Sequence, residues 1–297
     1  MLAAPQMIDA GTARVAVQTQ GSGPSLLLIH GWPLSGQTFR KIAPDLARHF
    51  TCHLIDLPGA GETQWREEHD FKFAGQALAV QRVARALKLD SYAVLAHDTG
   101  ATIARQLALI EGPRVTRLVL LNTEIPGHRP PWIRLFQASS RLPLSRLAFR
   151  AMLGSRAFLR SSMGFGGSFH DLSLIDGDFH AAFIQPLLKS PARLEGQIRY
   201  LQGIDWALVD SLAERHRQIE APVLFIWGED DHTFPIDRAR QMVGQLPHCA
   251  GLIPIAASKL LLHEEQPAQV SREAIRFLRG ARASRPPDVE SSRPDGR

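Results

Sequence analysis

The chain predicts an α/β fold: a mostly parallel eight-stranded sheet flanked by helices, with an inserted helical lid. Three observations carry that prediction. Runs such as 92–96 and 222–227 are apolar on both faces, as a strand must be when both sides of its sheet are covered. These runs alternate with helical patterns, the sequence sign of parallel β–α–β units. The alternation stops near Pro126 and resumes after His216, and the interval is helical in pattern without strand-like runs.

The elements follow in order. Residues 5–20 alternate weakly and read as a strand pair, closed by Gly21-Ser22-Gly23-Pro24. Leu26–His30 is a short apolar strand, and Thr38–His49 reads as a helix. Thr51–Leu57 is the next strand, ended by Pro58-Gly59. Ala74–Leu87 places apolar residues at 74, 77, 78, 80, 83, 84 and 87, one face of a helix. Strand 92–96, helix 101–110 and strand 117–121 complete the first part. After the interruption come strand 222–227, a helix near 236–246, strand 250–255 and a helix near 267–279. The expected organisation is a core of residues 1–125 and 217–280 and a lid of residues 126–216. A lid of this kind covers a pocket and excludes water. Residues 281–297 are polar and Pro-rich, so a disordered tail is expected there.

A chain of 297 residues with 44% hydrophobic content can bury one large core. Cys52 and Cys249 are too few for a disulfide framework and read as buried, reduced thiols. No charged n-region precedes an apolar h-region, and no apolar run approaches the length of a bilayer span. A soluble cytoplasmic protein is the expectation. The net charge of +5 is unevenly placed: Pro126–His170 holds seven Arg and no Asp or Glu. Leu135, Phe136, Leu142, Leu147, Phe149, Met152, Leu153, Phe158 and Leu159 are interleaved with them. This reads as helices with a basic solvent face and an apolar inner face. Steering of an anionic substrate or contact with an anionic membrane surface are the sharper readings. Aromatics at stacking distance from basic residues are missing, so nucleic acid is not an expected partner.

The chemistry concentrates at residues 94–102, Val-Leu-Ala-His-Asp-Thr-Gly-Ala-Thr. A strand, a sharp turn and a helix meet there, the context of a nucleophile elbow. The central residue is Asp98, where Ser is usual, and Ala96 stands where Gly is usual. A carboxylate that attacks an sp³ carbon forms an alkyl ester. Asp98 thus points to carbon–halogen or epoxide chemistry more than to ordinary ester hydrolysis. Its other role would be an N-cap for the following helix.

Five stretches, read together, resemble the α/β-hydrolase superfamily, in its haloalkane dehalogenase and epoxide hydrolase branch. They are His30-Gly31-Trp32-Pro33, Asp56-Leu57-Pro58-Gly59-Ala60-Gly61, His97-Asp98-Thr99-Gly100, Trp227-Gly228-Glu229-Asp230-Asp231 before Pro235, and Glu264-Glu265-Gln266-Pro267. The resemblance runs from about residue 8 to residue 280. It implies Asp98 as nucleophile, the Trp32 and Thr99 amides as oxyanion hole, and Asp231 as the acid that orients a histidine. Glu124 is the alternative acid. Relatives carry Gly-His seven residues before the proline of the last stretch. Here those positions are Lys259 and Leu260, so the expected base is a leucine. His263 is the substitute candidate, and His232 lies beside Asp231. Dehalogenase-like relatives often carry Trp after the nucleophile, where this chain has Thr99. Fluoroacetate-type relatives carry Arg there and three residues on, where it has Thr99 and Thr102. Epoxide hydrolases use lid tyrosines, and the lid holds Tyr200 alone, with Leu201 where the acid would stand.

Two functions are therefore expected in competition. One is a hydrolase of a small organic substrate, of alkyl halide or epoxide type, with impaired or lost turnover. The other is a hydrolase-fold protein that binds a small apolar ligand without turnover. Gly59-Ala60-Gly61 lacks the residues of a phosphate-binding loop, and no His, Cys and Asp have zinc spacing, so no cofactor and no metal are implied.

Overall fold

The computed structural model describes residues 4–280; the tail expected at 281–297 lies outside the described residues. Eight strands form one continuous sheet: β1 (Gln6–Asp9), β2 (Ala13–Gln20), β3 (Ser25–Ile29), β4 (Thr51–Ile55), β6 (Tyr92–His97), β7 (Val115–Leu121), β8 (Val223–Gly228) and β9 (Cys249–Ile255). The two-residue β5 (Gln64–Trp65) pairs with β2 beside them. The order is β1-β2-β4-β3-β6-β7-β8-β9. The strands β4, β3, β6, β7, β8 and β9 run parallel, and the β1–β2 hairpin adds antiparallel against β4.

Period-two alternation divides the core between the two faces of the sheet. Leu27, Ile29, Val94, Leu118, Leu120, Phe225 and Trp227 pack on one side with the helices Phe73–Ala86 and Thr99–Glu111. Leu26, Leu28, Leu95, Val119, Leu121, Leu224 and Ile226 pack on the other with Leu46 and the helix Pro267–Leu278. All six residues of β6 and of β8 are buried, which is why they read as unbroken apolar runs. One expected helix is absent. Thr38–His49 forms two single turns, Gly36–Phe39 and Ala43–Leu46, instead of one helix. Pro44 cannot donate a backbone hydrogen bond, and its ring disfavours helix just before it, so the segment breaks there.

Between β7 and β8 the chain forms only helices and turns, from Pro131 to Gln218. This insert carries its own aromatic cluster, in which Phe179 meets Phe165, Phe169 and Phe183 at centroid separations of 4.8–5.0 Å. It is seated on the sheet core by a backbone contact. A Cβ added at Gly196 would lie 2.6 Å from the Gly59 carbonyl oxygen, so only glycine allows that approach. Of the two thiols, Cys52 is buried and Cys249 half-buried, both free, and burial pushes Cys52 up to about 12. Among the described residues no helix is long and apolar enough to cross a membrane.

Candidate active site

The end of β6 delivers His97 and Asp98 to the C-terminal edge of the sheet, where open α/β sheets hold their ligands. Asp98 sits at φ 53°, ψ −132°, a conformation few non-glycine residues adopt. Its side chain makes no capping hydrogen bond to the helix Thr99–Glu111, which removes the N-cap explanation. The turn closes only because two neighbours lack a Cβ. A Cβ at Gly31 would overlap the Asp98 carboxylate, and one at Gly100 would overlap the His30 carbonyl.

Asp98 Oδ2 accepts the Trp32 amide at 3.0 Å, and the same amide reaches Thr99 Oγ1 at 2.9 Å. Thr99 Oγ1 also shares a hydrogen bond of 2.9 Å with the Tyr200 hydroxyl from the insert. The Trp32 indole N–H donates to the Gln197 carbonyl at 2.9 Å, so it is not turned to a leaving group. Tyr200 is wholly buried in this linkage and does not line the cavity.

Above Asp98 lies a cavity of about 120 Å³. A cavity of about 150 Å³ admits benzene, so the space suits a small molecule. Trp132, Ile133, Phe136, Phe149, Met152 and Phe158 of the insert form its roof, and Trp32, Asp98, Thr99 and Glu124 stand at its floor. Among the described residues, no Arg or Lys lines it. The Arg residues of 129–160 turn outward or pair with surface acids, as the sequence predicts. Leu135, Leu142 and Leu147 correct that prediction: they are exposed and line neither cavity nor core. Both faces of these short helices carry leucine, so periodicity alone assigns no inner face.

The floor is acidic and buried. Burial, with the negative charge of Glu124 and then of Asp231, holds the Asp98 carboxyl well above the usual carboxylate range, against the pull of the Thr99 and Trp32 amides. Glu124 is raised by burial too, and hydrogen bonds from Thr102 at 2.6 Å and Thr123 at 3.0 Å oppose the shift. Arg105, wholly buried, also opposes it. Its guanidinium donates to Thr102 Oγ1, Thr123 Oγ1 and the Glu124 carbonyl at 2.7–3.0 Å. Sequence reading missed Arg105, because a single Arg inside an apolar helix gives no signal of its partners.

The other end of the expected machinery is arranged differently. Asp231 is buried but does not line the cavity. It accepts Asn122 Nδ2 at 2.5 Å and the Thr233 amide at 2.8 Å, and burial lifts it to about 7. No histidine is bonded to it among the described residues. Leu260 borders the cavity. His263 does not border it. Its Nε2 bonds Thr38 Oγ1 at 2.6 Å, its ring lies 4.5 Å from the His97 ring, and its Nδ1 is buried without a partner. The turn that carries it, Leu262–Glu265, anchors this placement, since Glu264 pairs with Arg40 and Lys41. His232 is exposed. His97 does border the cavity, but Nε2 donates to the Leu260 carbonyl at 2.9 Å and Nδ1 is shielded. Burial lowers His97 to about 4, so it is neutral at pH 7. The structure thus brings together Trp32, Asp98, Thr99 and Glu124, and leaves Asp231 and His263 outside the cavity.

Comparisons with known proteins agree with this architecture. A family model described as alpha/beta hydrolase fold matches residues 24–265. Pimeloyl-[acyl-carrier protein] methyl ester esterase of Photobacterium profundum is 27% identical over 278 residues, covering 89% of this chain and all of that protein. The magnesium-chelatase 30 kDa subunit of Rhodobacter capsulatus is 29% identical over 229 residues, 77% of this chain and 75% of that one. Among solved structures, an alpha/beta hydrolase fold protein from Burkholderia ambifaria matches with TM-score 0.75 at 24% identity, over 91% of this chain and 99% of that one. An epoxide hydrolase from Solanum tuberosum matches with TM-score 0.76 at 19% identity, over 93% and 98%. The sheet order, the elbow at Asp98 and the family match over most of the chain lead to one assignment: this chain belongs to the alpha/beta-hydrolase-fold family.

Proposed function

We propose that this protein acts on a small, uncharged organic molecule through the Asp98 carboxylate, forming an alkyl ester that is released slowly. The substrate class is an alkyl halide or an epoxide. The observation that carries this reading is a strained carboxylate at the floor of an apolar cavity whose lining histidine among the described residues, His97, commits Nε2 to the Leu260 carbonyl. In the ionised form, Asp98 attacks the electrophilic carbon and the carbon–halogen or carbon–oxygen bond breaks; the electron pair departs with halide, or stays on the epoxide oxygen, which remains on the neighbouring carbon of the ester and takes a proton from water. Hydrolysis of the ester then needs a base to activate water. Leu260 borders the cavity where that base is expected, so the ester is expected to persist. Ester hydrolysis, the activity in the names of several relatives, fits less well, because carboxylate attack on an acyl carbon gives a mixed anhydride.

A second reading has its own support. The Asp98 carboxyl is raised well above its usual range, and a protonated acid is a poor nucleophile. The Trp32 indole is already engaged, and among the described residues no phenol lines the cavity to assist a leaving group. On that reading the cavity binds a small apolar ligand without turnover. Intact mass after incubation with panels of primary alkyl halides and epoxides separates the two. A mass gain mapped to the Asp98 peptide supports the ester. Saturable binding of a neutral apolar molecule, with no mass gain for any halide or epoxide, supports the ligand-binding reading.

A further inference from the structure

The first two helices of the insert, Pro131–Ser139 and Ser145–Gly154, have two apolar faces. The inner face lines the cavity through Trp132, Ile133, Phe136, Phe149, Met152 and Leu153. The outer face and the turn between the helices leave Leu135, Leu142, Leu144 and Leu147 exposed, at 56%, 61%, 75% and 63%. These four are a majority of the large hydrophobic side chains exposed among the described residues, gathered in thirteen positions of sequence. Isolated exposed leucines need no explanation, but a clustered apolar patch marks an interaction surface.

The charge around the patch identifies its partner. Arg134, Arg141 and Arg150 are exposed and make no ion pair among the described residues, whereas Arg129, Arg146, Arg156 and Arg160 pair with acids elsewhere on the insert. No Asp or Glu lies between Pro126 and His170. Exposed leucines interleaved in the sequence with unpaired arginines match a lipid surface of negative charge, with apolar side chains below the headgroups and guanidinium groups among the phosphates. With no membrane-crossing helix among the described residues, such contact would be peripheral.

We infer that the helix–turn–helix of residues 131–154 docks the protein on an anionic bilayer. The same two helices then separate the cavity from the membrane, so small apolar molecules dissolved in the bilayer meet the roof of the cavity first. This inference stands on the outer face alone and holds whether Asp98 alkylates or only binds.

The test is flotation of the full chain with vesicles of phosphatidylcholine, alone or mixed with phosphatidylserine. Binding is expected with the mixed vesicles, stronger than with the neutral ones, and weakened as salt rises from about 0.1 to about 0.5 M. Replacing the exposed leucines (Leu142→Ser, Leu144→Ser, Leu147→Ser) or reversing the unpaired charges (Arg134→Glu, Arg141→Glu, Arg150→Glu) should each weaken that binding on the order of ten-fold or more. All six side chains are exposed, so circular dichroism and thermal unfolding should match wild type. Equal binding to neutral and anionic vesicles, or none to either, overturns the inference. So does a wild-type dimer that the leucine replacements convert to monomer, because the patch would then be covered by a second copy.

Discussion

The two ends of the site differ in what they keep. At the ends of β3 and β6 the groups that the proposed nucleophile needs stand together: a strained Asp98, the Trp32 amide at 3.0 Å, and two glycines whose missing Cβ atoms make room. Past β8 and β9 the proposed acid, Asp231, has no imidazole bonded to it among the described residues. Asp231 is satisfied by Asn122 and Thr233, Leu260 borders the cavity, and His263 is turned to Thr38. The difference teaches how a base can be absent without damage to the fold. A buried carboxylate left bare would cost about 1–3 kcal/mol or more. Here Asn122 and the loop amides already supply its hydrogen bonds, so a leucine at 260 strands no polar group. The floor residues depend on each other in a tighter way, because Asp98, Thr99, Trp32 and Tyr200 share one hydrogen-bonded set.

The largest effect should come from Asp98→Asn. The amide keeps the shape but is a far weaker nucleophile, so covalent labelling by any alkyl halide or epoxide should vanish, as read by intact mass. Labelling that persists at another residue would place the chemistry away from the elbow. Next is Leu260→His. If the first end is competent and only the second is incomplete, an imidazole at 260 should speed release of the ester on the order of 10²–10⁴-fold, the usual contribution of a general base. Single-turnover kinetics on preformed adduct measure this directly. Unchanged release would mean that the distance between Asp231 and the cavity, and not residue 260 alone, separates the two ends.

The same two ends mark what the sequence made legible. The elbow could be read because it is local: a six-residue buried strand, an abrupt turn and a helix are contiguous. Counting back from Pro267 singles out Leu260, and that residue borders the cavity. The hydrogen bond between Thr99 and Tyr200 could not be read, since it joins residues 101 positions apart through an insert whose docking no periodicity encodes. Arg105 under Glu124 and His97 against Leu260 were hidden for the same reason. The direction of the His263 ring was not legible either, because offset along a chain gives proximity but not direction; the ring is turned to Thr38, and its turn is held by Glu264 pairing with Arg40 and Lys41.

Glu124→Gln sharpens the comparison from within the floor. Burial and the Glu124 charge both hold Asp98 in its protonated form, and only the ionised form attacks. Labelling should therefore rise with pH, with a midpoint above the usual carboxylate range. Removing the Glu124 charge takes away one of the three upward pulls, those of burial, Glu124 and Asp231, so the midpoint should move to lower pH. Labelling rates across a pH series, with a halide whose own reactivity is constant over that range, read the shift. A midpoint that moves upward, or stays fixed, would show that Glu124 does not act on Asp98 through its charge.

The smallest effect on the chemistry should come from His263→Ala. Neither the attack by Asp98 nor the release of its ester uses this ring, because it lies outside the cavity and its Nε2 is committed to Thr38. Labelling and release should match wild type. Stability should not. The ring is wholly buried and packs on Phe39 at 5.7 Å between centroids, and its loss leaves the Thr38 hydroxyl without that partner. A cost of about 1–3 kcal/mol is expected for the hydroxyl, with a further cavity contribution. Burial also holds His263 neutral, with a folded pKa well below the ordinary value, so the wild-type ring supplies stability above the unfolded histidine range that is lost as pH falls. Urea unfolding should accordingly separate wild type and His263→Ala most at neutral pH and less in acid. If His263→Ala instead slows ester release while leaving attack intact, the ring reaches the site by a movement of the Leu262–Glu265 turn, and His263 takes the place of the base.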